Sequence, residues 1–257
     1  MYPNLFGIDG FSMTFMIIVG VIAATILLFG YLHKKGVPSN SFVDLTIVIT
    51  ATVFVGIVFA ILFENVYEAI KHAQFGQPQA WTWGMTFYGG LLGGVITFIL
   101  MYRFYYLRHN DPIMDKIIVI APASITLGHA FGRIGCFLSG CCYGIECDPT
   151  QGIIFPGHTH AVVPTQLIES IFLFTLTLGL ALLAFKYNYL YNFIIYMGFY
   201  GVFRFIIEFF RGDERGQLAG LSPSQYWCIV LVIALLPTYF YLKKRYGKNS
   251  EESSDEI

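Results

Sequence analysis

Apolar runs close to 20 residues long recur along this chain, and a run of that length crosses about 30 Å of hydrocarbon as a helix. They fall at 11–32, 42–63, 84–102, 117–135, 164–185, 190–210 and 225–242. Each is apolar on all sides, whereas the strands of a membrane barrel alternate over ~10 residues. The expected fold is therefore all-α: a polytopic membrane helix bundle of about seven transmembrane helices. One transmembrane domain is expected over 1–248, followed by a Ser- and Glu-rich tail, 249–257, expected to be disordered. The first run lacks a basic leader and a small-residue cleavage site, so it reads as a span and not a signal peptide. No tandem repeat is evident.

Composition narrows the function classes. Hydrophobic residues make up 56% of the chain and charged residues 12%, against about 45–50% and 25% in soluble domains. This excludes intrinsic disorder of the whole chain. A net charge of −1 without a dense basic patch argues against nucleic acid as a partner. The lipid bilayer is the expected surrounding. The basic residues set the orientation. Lys34, Lys35, Arg103, Arg108, Lys116, Lys186, Lys243, Lys244, Arg245 and Lys248 fall on one side if the spans alternate, and Lys71, Arg211 and Arg215 on the other. The richer side is the cytoplasm, which puts the N-terminus outside and the C-terminus inside.

Charges within the apolar runs are the first candidates for chemistry, because each costs roughly 2.5–3.5 kcal/mol to insert. Arg204, Glu208 and Arg211 follow a spacing of four and three residues, which predicts one shared helix face. They read either as a helix-holding ion pair with a snorkelling arginine, or as an anion site in which Glu208 orients a guanidinium. Arg133 lies in a Gly-rich stretch with Gly132, Gly135, Gly140 and Gly144, and with Arg204 it is expected on the outer half. The simplest joint ligand is an anionic lipid headgroup. Gly89, Gly90, Gly93 and Gly94 form two small-xxx-small pairs, a helix-packing pattern, and Tyr88 precedes them. Glu169 follows Pro164-Thr165-Gln166 and reads as a buried, partnered carboxylate or as part of a polar site. Four of the five cysteines fall within 136–147. For them a disulfide, a metal site with His129, His158 or His160, and small packing residues all stand open.

Taken in order, these pieces resemble bacterial prolipoprotein diacylglyceryl transferases over nearly the whole chain. The resemblance rests on Met85-Thr-Phe-Tyr-Gly-Gly-Leu-Leu-Gly-Gly94, Gly132-Arg133-Ile-Gly-Cys-Phe137 through Gly144, Pro164-Thr-Gln-Leu-Ile-Glu169, Arg204-Phe-Ile-Ile-Glu-Phe-Phe-Arg211 and Gly220-Leu-Ser-Pro-Ser-Gln225. It implies a seven-span enzyme of the bacterial cell membrane, with its site toward the outer leaflet. That enzyme would move the diacylglyceryl group of phosphatidylglycerol to the lipobox cysteine of a prolipoprotein signal peptide, without cofactor or metal. The other outcomes are a divergent paralogue and a lipid- or anion-binding protein without transferase activity.

The resemblance also implies site residues. Arg133, Arg204 and Glu208 would act on the phosphate. Gly89, Gly90, Gly144, Gln166, Glu169 and Arg211 join Arg133 and Arg204 as substrate-binding candidates. Departures from the family pattern are Tyr88 where a histidine is usual, Cys136 for an asparagine, Cys141 for an acidic residue, Met13-Thr14 for Tyr-Gly, Ile57 for an arginine, and Val163 for a histidine or arginine. Tyr88 and His129, the latter one helical turn before Arg133, are the remaining candidates for the catalytic base.

Overall fold

A computed structural model describes residues 11–75, 81, 86–109, 113–156, 158–212 and 220–252. Met85, Arg215 and residues 253–257, which figure in the readings of the sequence, lie outside the described residues. The helices are α1 (Phe11–Lys34), α2 (Ser39–Phe75), α3 (Phe87–His109), α4 (Ile113–Ser139), α5 (Thr165–Tyr187), α6 (Asn192–Ile207), a short 3-10 turn (Glu208–Phe210), α7 (Pro223–Ile233) and α8 (Leu235–Glu252). Beyond isolated bridges in the loops, no strand forms among the described residues. The protein is an all-α membrane bundle. Among the described residues, six helices are long and apolar enough to cross a bilayer, and a seventh apolar helix, Gly89–Phe104, is shorter.

The helix bounds depart from the apolar runs in instructive ways. The fourth span continues past Gly135 to Ser139, because Gly140, at φ 71°, is what ends it. The last span is divided at Ala234 into α7 and α8, and α8 carries on to Glu252, into the segment read as a tail. The sixth does not stay helical through Arg211. It tightens into the 3-10 turn at Glu208, and Arg211 is extended, with ψ 136°. Arg204, Glu208 and Arg211 therefore do not share a helix face.

The chain divides into two compact units, His33–Met114 and Met1–Leu32 with Asp115–Ile257. In the first, α2 and α3 pack through glycine. A Cβ at Gly93 would lie 2.5 Å from the Cβ of Phe59, and one at Gly89 would lie 2.7 Å from the Phe59 carbonyl oxygen. Gly90 meets Ala60 and Gly56 on the same seam. Helix packing thus accounts for the small-xxx-small pattern.

In the second unit, α1 crosses α4 where a Cβ at Gly20 would stand 2.9 Å from the Gly128 carbonyl oxygen. α5 turns its polar residues inward. Thr165, Gln166, Glu169, Ser170 and Thr177 are buried, while Ile171, Leu178 and Leu182 face outward. That inversion suits a lipid surround, in which apolar side chains gain nothing by leaving the outer face. The inward polar groups tie the helices together. Ser170 donates to the Ala130 carbonyl at 3.1 Å, and Thr177 to Thr126 at 2.8 Å. Asn192 Nδ2 donates to the carbonyls of Val119 (2.8 Å) and Leu180 (3.1 Å). The registers of α4, α5 and α6 are fixed by these bonds, and the registers place the site.

Candidate functional site

Glu169 stands on the inward face of α5, fully buried. A carboxylate there must be paired, since removing a charge from water costs several kcal/mol. The partners come from the two flanking helices. Arg133 Nε of α4 lies 2.9 Å from Glu169 Oε2. On α6, Tyr200 donates its hydroxyl to Oε1 at 3.1 Å and Arg204 Nε stands 3.9 Å from the same oxygen. His129 Nε2, one turn below Arg133, is 3.8 Å away, and its ring meets Tyr200 edge-on with centroids 5.3 Å apart. Phe172 and Phe203 stack at 3.8 Å and close the same α5–α6 interface.

Arg204 also reaches the other way. Its Nη1 lies 2.6 Å from Glu208 Oε2, and its Nη2 donates to Ser224 Oγ at 3.3 Å. Ser222 donates to Glu208 Oε1 at 2.8 Å. Ser222 is at the same time the N-cap of α7, in a capping box with Gln225 and with Pro223 following it. One network therefore runs across α4, α5, α6, the 3-10 turn and the start of α7. Two arginines and two glutamates carry it, so with a neutral His129 its formal charge is zero.

The two arginines differ in what they have left to offer. Arg204 is engaged through Nε, Nη1 and Nη2, and its side chain is 7% exposed. Arg133 is engaged through Nε, and its side chain is 12% exposed. That nitrogen is in ion-pair range of Glu169 Oε2 without an aligned hydrogen bond. A guanidinium paired with a buried acid and partly exposed has the planar fork that suits a phosphate.

The sequence reading brought Arg133, Arg204, Glu208, Glu169 and His129 forward, and the fold gathers all five into this network. It missed Tyr200, Ser222 and Ser224. Tyr200 lies four residues before Arg204 on α6, a spacing that signals a shared face, but it sits in an aromatic-rich run and reads as packing. Ser222 and Ser224 stand in Leu-Ser-Pro-Ser-Gln, a helix-start signal whose proximity to Glu208 only the fold supplies.

Three other candidates hold the adjoining loop. Gln166 donates to the Cys141 carbonyl at 2.6 Å. Gly144 is pinched between Val163 and Phe210, where a Cβ would fall within 2.8 Å of both. Its amide donates to the Val163 carbonyl at 2.8 Å, and its backbone forms a bridge with Arg211. Pairing with Gly144 explains why the chain leaves the helix before Arg211. Tyr88, Gly89 and Gly90 belong to the other compact unit, and the side chain of Tyr88 lies outside the described residues.

No disulfide forms among the described cysteines, and Cys136, Cys141 and Cys142 bring their sulfurs within 4.8 Å of one another. Hydrogen bonding with Cys136 and Cys142, with burial, pushes the Cys141 thiol well above its ordinary range. Of the three histidines suggested as metal-binding companions, His129 is engaged with Glu169, and His158 lies against the Tyr143 ring at 4.4 Å.

The family model of prolipoprotein diacylglyceryl transferase matches residues 4–241. The chain belongs to that family. Among its relatives is the phosphatidylglycerol–prolipoprotein diacylglyceryl transferase 2 of Clostridium perfringens, 31% identical over 97% of both chains. The enzyme of Clostridium tetani named phosphatidylglycerol–prolipoprotein diacylglyceryl transferase is 32% identical over 90% of this chain and 92% of its own. That of Geobacter sulfurreducens is 34% identical over 62% and 61%. The family membership and the apolar helices together make the chain a multi-pass membrane protein.

Proposed function

We propose that this chain transfers the diacylglyceryl group of phosphatidylglycerol to the lipobox cysteine thiol of a prolipoprotein, and that Arg133 receives the phosphate of the donor. The pairing of partly exposed Arg133 with buried Glu169, 2.9 Å from Nε to Oε2, is the observation that carries the proposal. The chemistry asks for such a group. The thiolate sulfur attacks the glycerol carbon bonded to the phosphate ester, the carbon–oxygen bond breaks, and glycerol phosphate leaves. Negative charge gathers on the departing phosphate, so a preorganised guanidinium stabilises the transition state more than the ground state. Arg204 and Glu208 hold the network in place. His129 is the base candidate this geometry favours for the thiol proton, by its position one turn from Arg133 on α4.

An apolar groove of about 230 Å³ between α6 and α7, lined by Gly201, Phe205, Cys228 and Val232, runs beside the turn that carries Arg204. It suits an acyl chain of a lipid whose headgroup lies at the network. Gly201 opens it, for a Cβ there would come within 3.1 Å of Val232. By the asymmetry of basic residues, the protein sits in the bacterial cell membrane with its N-terminus outside and this site toward the outer leaflet.

Intact-mass analysis of a reporter lipoprotein tests the function. In cells that depend on this chain, the reporter is expected to carry a diacylglyceryl thioether on its lipobox cysteine. A reporter that stays unmodified while the chain is inserted at normal level would leave a lipid- or anion-binding protein as the better description.

A further inference from the structure

The end of α4 determines where three cysteines fall. Gly140, at φ 71°, follows the last helical turn. Its amide donates to the Phe137 carbonyl at 3.2 Å, and the next amide, that of Cys141, donates to the Cys136 carbonyl at 3.1 Å. These are the two bonds of a Schellman motif, which brings the residue after the glycine back over the residue five positions earlier. In this chain both are cysteine. Cys142 then takes a left-handed conformation, φ 67°, which a residue with a side chain seldom adopts without a surrounding that imposes it. The two carbonyls of the turn are held from α5: Gln166 Nε2 donates to Cys141 O at 2.6 Å and Thr165 Oγ1 to Cys142 O at 3.0 Å.

From this arrangement we infer that Cys136, Cys141 and Cys142 form a binding site for one thiophilic metal ion, of which zinc(II) is the representative. Their sulfurs already lie within 4.8 Å of one another. Zinc–sulfur bonds of about 2.3 Å put tetrahedral sulfurs roughly 3.8 Å apart, so closing onto an ion takes a contraction of about 1 Å or less per pair. Three thiolates are the soft donor set that favours such an ion over hard cations. Cys136 is buried and the other two are half-buried, so the site is closed on the helix side and reachable from the loop side. A tetrahedral ion there keeps its fourth position for an outside ligand. Three thiolates and a divalent ion sum to one negative charge. Arg133, three residues before Cys136 on the same face of α4, supplies a permanent cation beside it. The inference rests on the cysteine turn and stands apart from the transferase reading.

The test uses metal content, not activity. Detergent-purified full-length protein, kept reduced, loaded with zinc(II) and dialysed against a weak chelator, is expected to retain about one zinc per chain. Loading with cobalt(II) instead is expected to give thiolate-to-metal charge-transfer absorption. Cys141→Ser and Cys142→Ser, at the half-buried positions where folding is least at risk, should each lower zinc retention to about a tenth or less. Cys228→Ser should leave it unchanged. Retention below about a tenth of a zinc by the wild type, or equal retention by the two serine variants, overturns the inference. So does a disulfide between any two of the three in protein alkylated at the moment of lysis.

Discussion

Arg133→Lys is expected to slow diacylglyceryl transfer at least about tenfold per inserted molecule while leaving the amount of protein near wild type. Lysine keeps a positive charge for Glu169, the carboxylate 2.9 Å from Arg133 Nε, so the buried acid is not stranded. What lysine cannot do is hold that carboxylate with one edge and offer a planar fork with the other. A charge-assisted hydrogen bond contributes roughly 1.5–3 kcal/mol, and about 1.4 kcal/mol lost from the transition state is tenfold in rate. Rates of thioether formation on a synthetic signal peptide, normalised to protein, make the comparison. An Arg133→Lys enzyme as fast as wild type would remove the headgroup role from this residue. Arg133→Ala is the poorer probe, because it withdraws the nearest counter-charge of Glu169 as well.

Glu169→Ala should have the larger effect on the protein itself. Glu169 is met by Arg133 at 2.9 Å, Tyr200 at 3.1 Å, His129 at 3.8 Å and Arg204 at 3.9 Å. Taking away the carboxylate leaves two guanidiniums at the centre of the α4–α5–α6 packing and one acid, Glu208, which is paired with Arg204. Breaking a buried pair from one side costs about 3–5 kcal/mol, a large fraction of the stability of a typical domain. Abundance in the membrane and the thermal midpoint in detergent are both expected to fall sharply. Glu169→Gln, which keeps an acceptor for Tyr200 and the side-chain volume, should fall between. Wild-type abundance and melting for Glu169→Ala would show that the network contributes little to holding the three helices.

Much of this architecture is legible in the sequence, for physical reasons. Run length alone marks the spans, because hydrocarbon thickness sets it. Intramembrane charge marks Arg133, Glu169, Arg204 and Glu208, because each is too costly to keep without a partner. Helix ends are less readable. The sixth span looks helical through Arg211, and it unwinds at Glu208 because the Arg211 backbone pairs with Gly144, 67 positions earlier in the numbering. No local pattern announces a pairing so distant. The cysteine turn lies between these cases. Cys-x-x-x-Gly-Cys-Cys spells out a Schellman end with cysteine at both contacting positions, but only once the helix is known to reach Ser139. A span ended at 135 hides it. Tyr200 shows the remaining limit. An aromatic among aromatics is distinguished by the acid facing it, and that acid is on another helix.

The central claim is that the donor headgroup is held at Arg133. Native mass spectrometry of detergent-purified protein exchanged into mixed phosphatidylglycerol and phosphatidylethanolamine bears on it most directly, because it reads the bound lipid without any catalytic step. The wild type is expected to retain phosphatidylglycerol about tenfold more strongly than Arg133→Lys does in the same mixture, because lysine lacks the planar fork that meets the phosphate. Arg133→Lys is expected to lose most of that retention while keeping its thermal midpoint. Equal retention of phosphatidylglycerol by both proteins, with both folded, would contradict the claim.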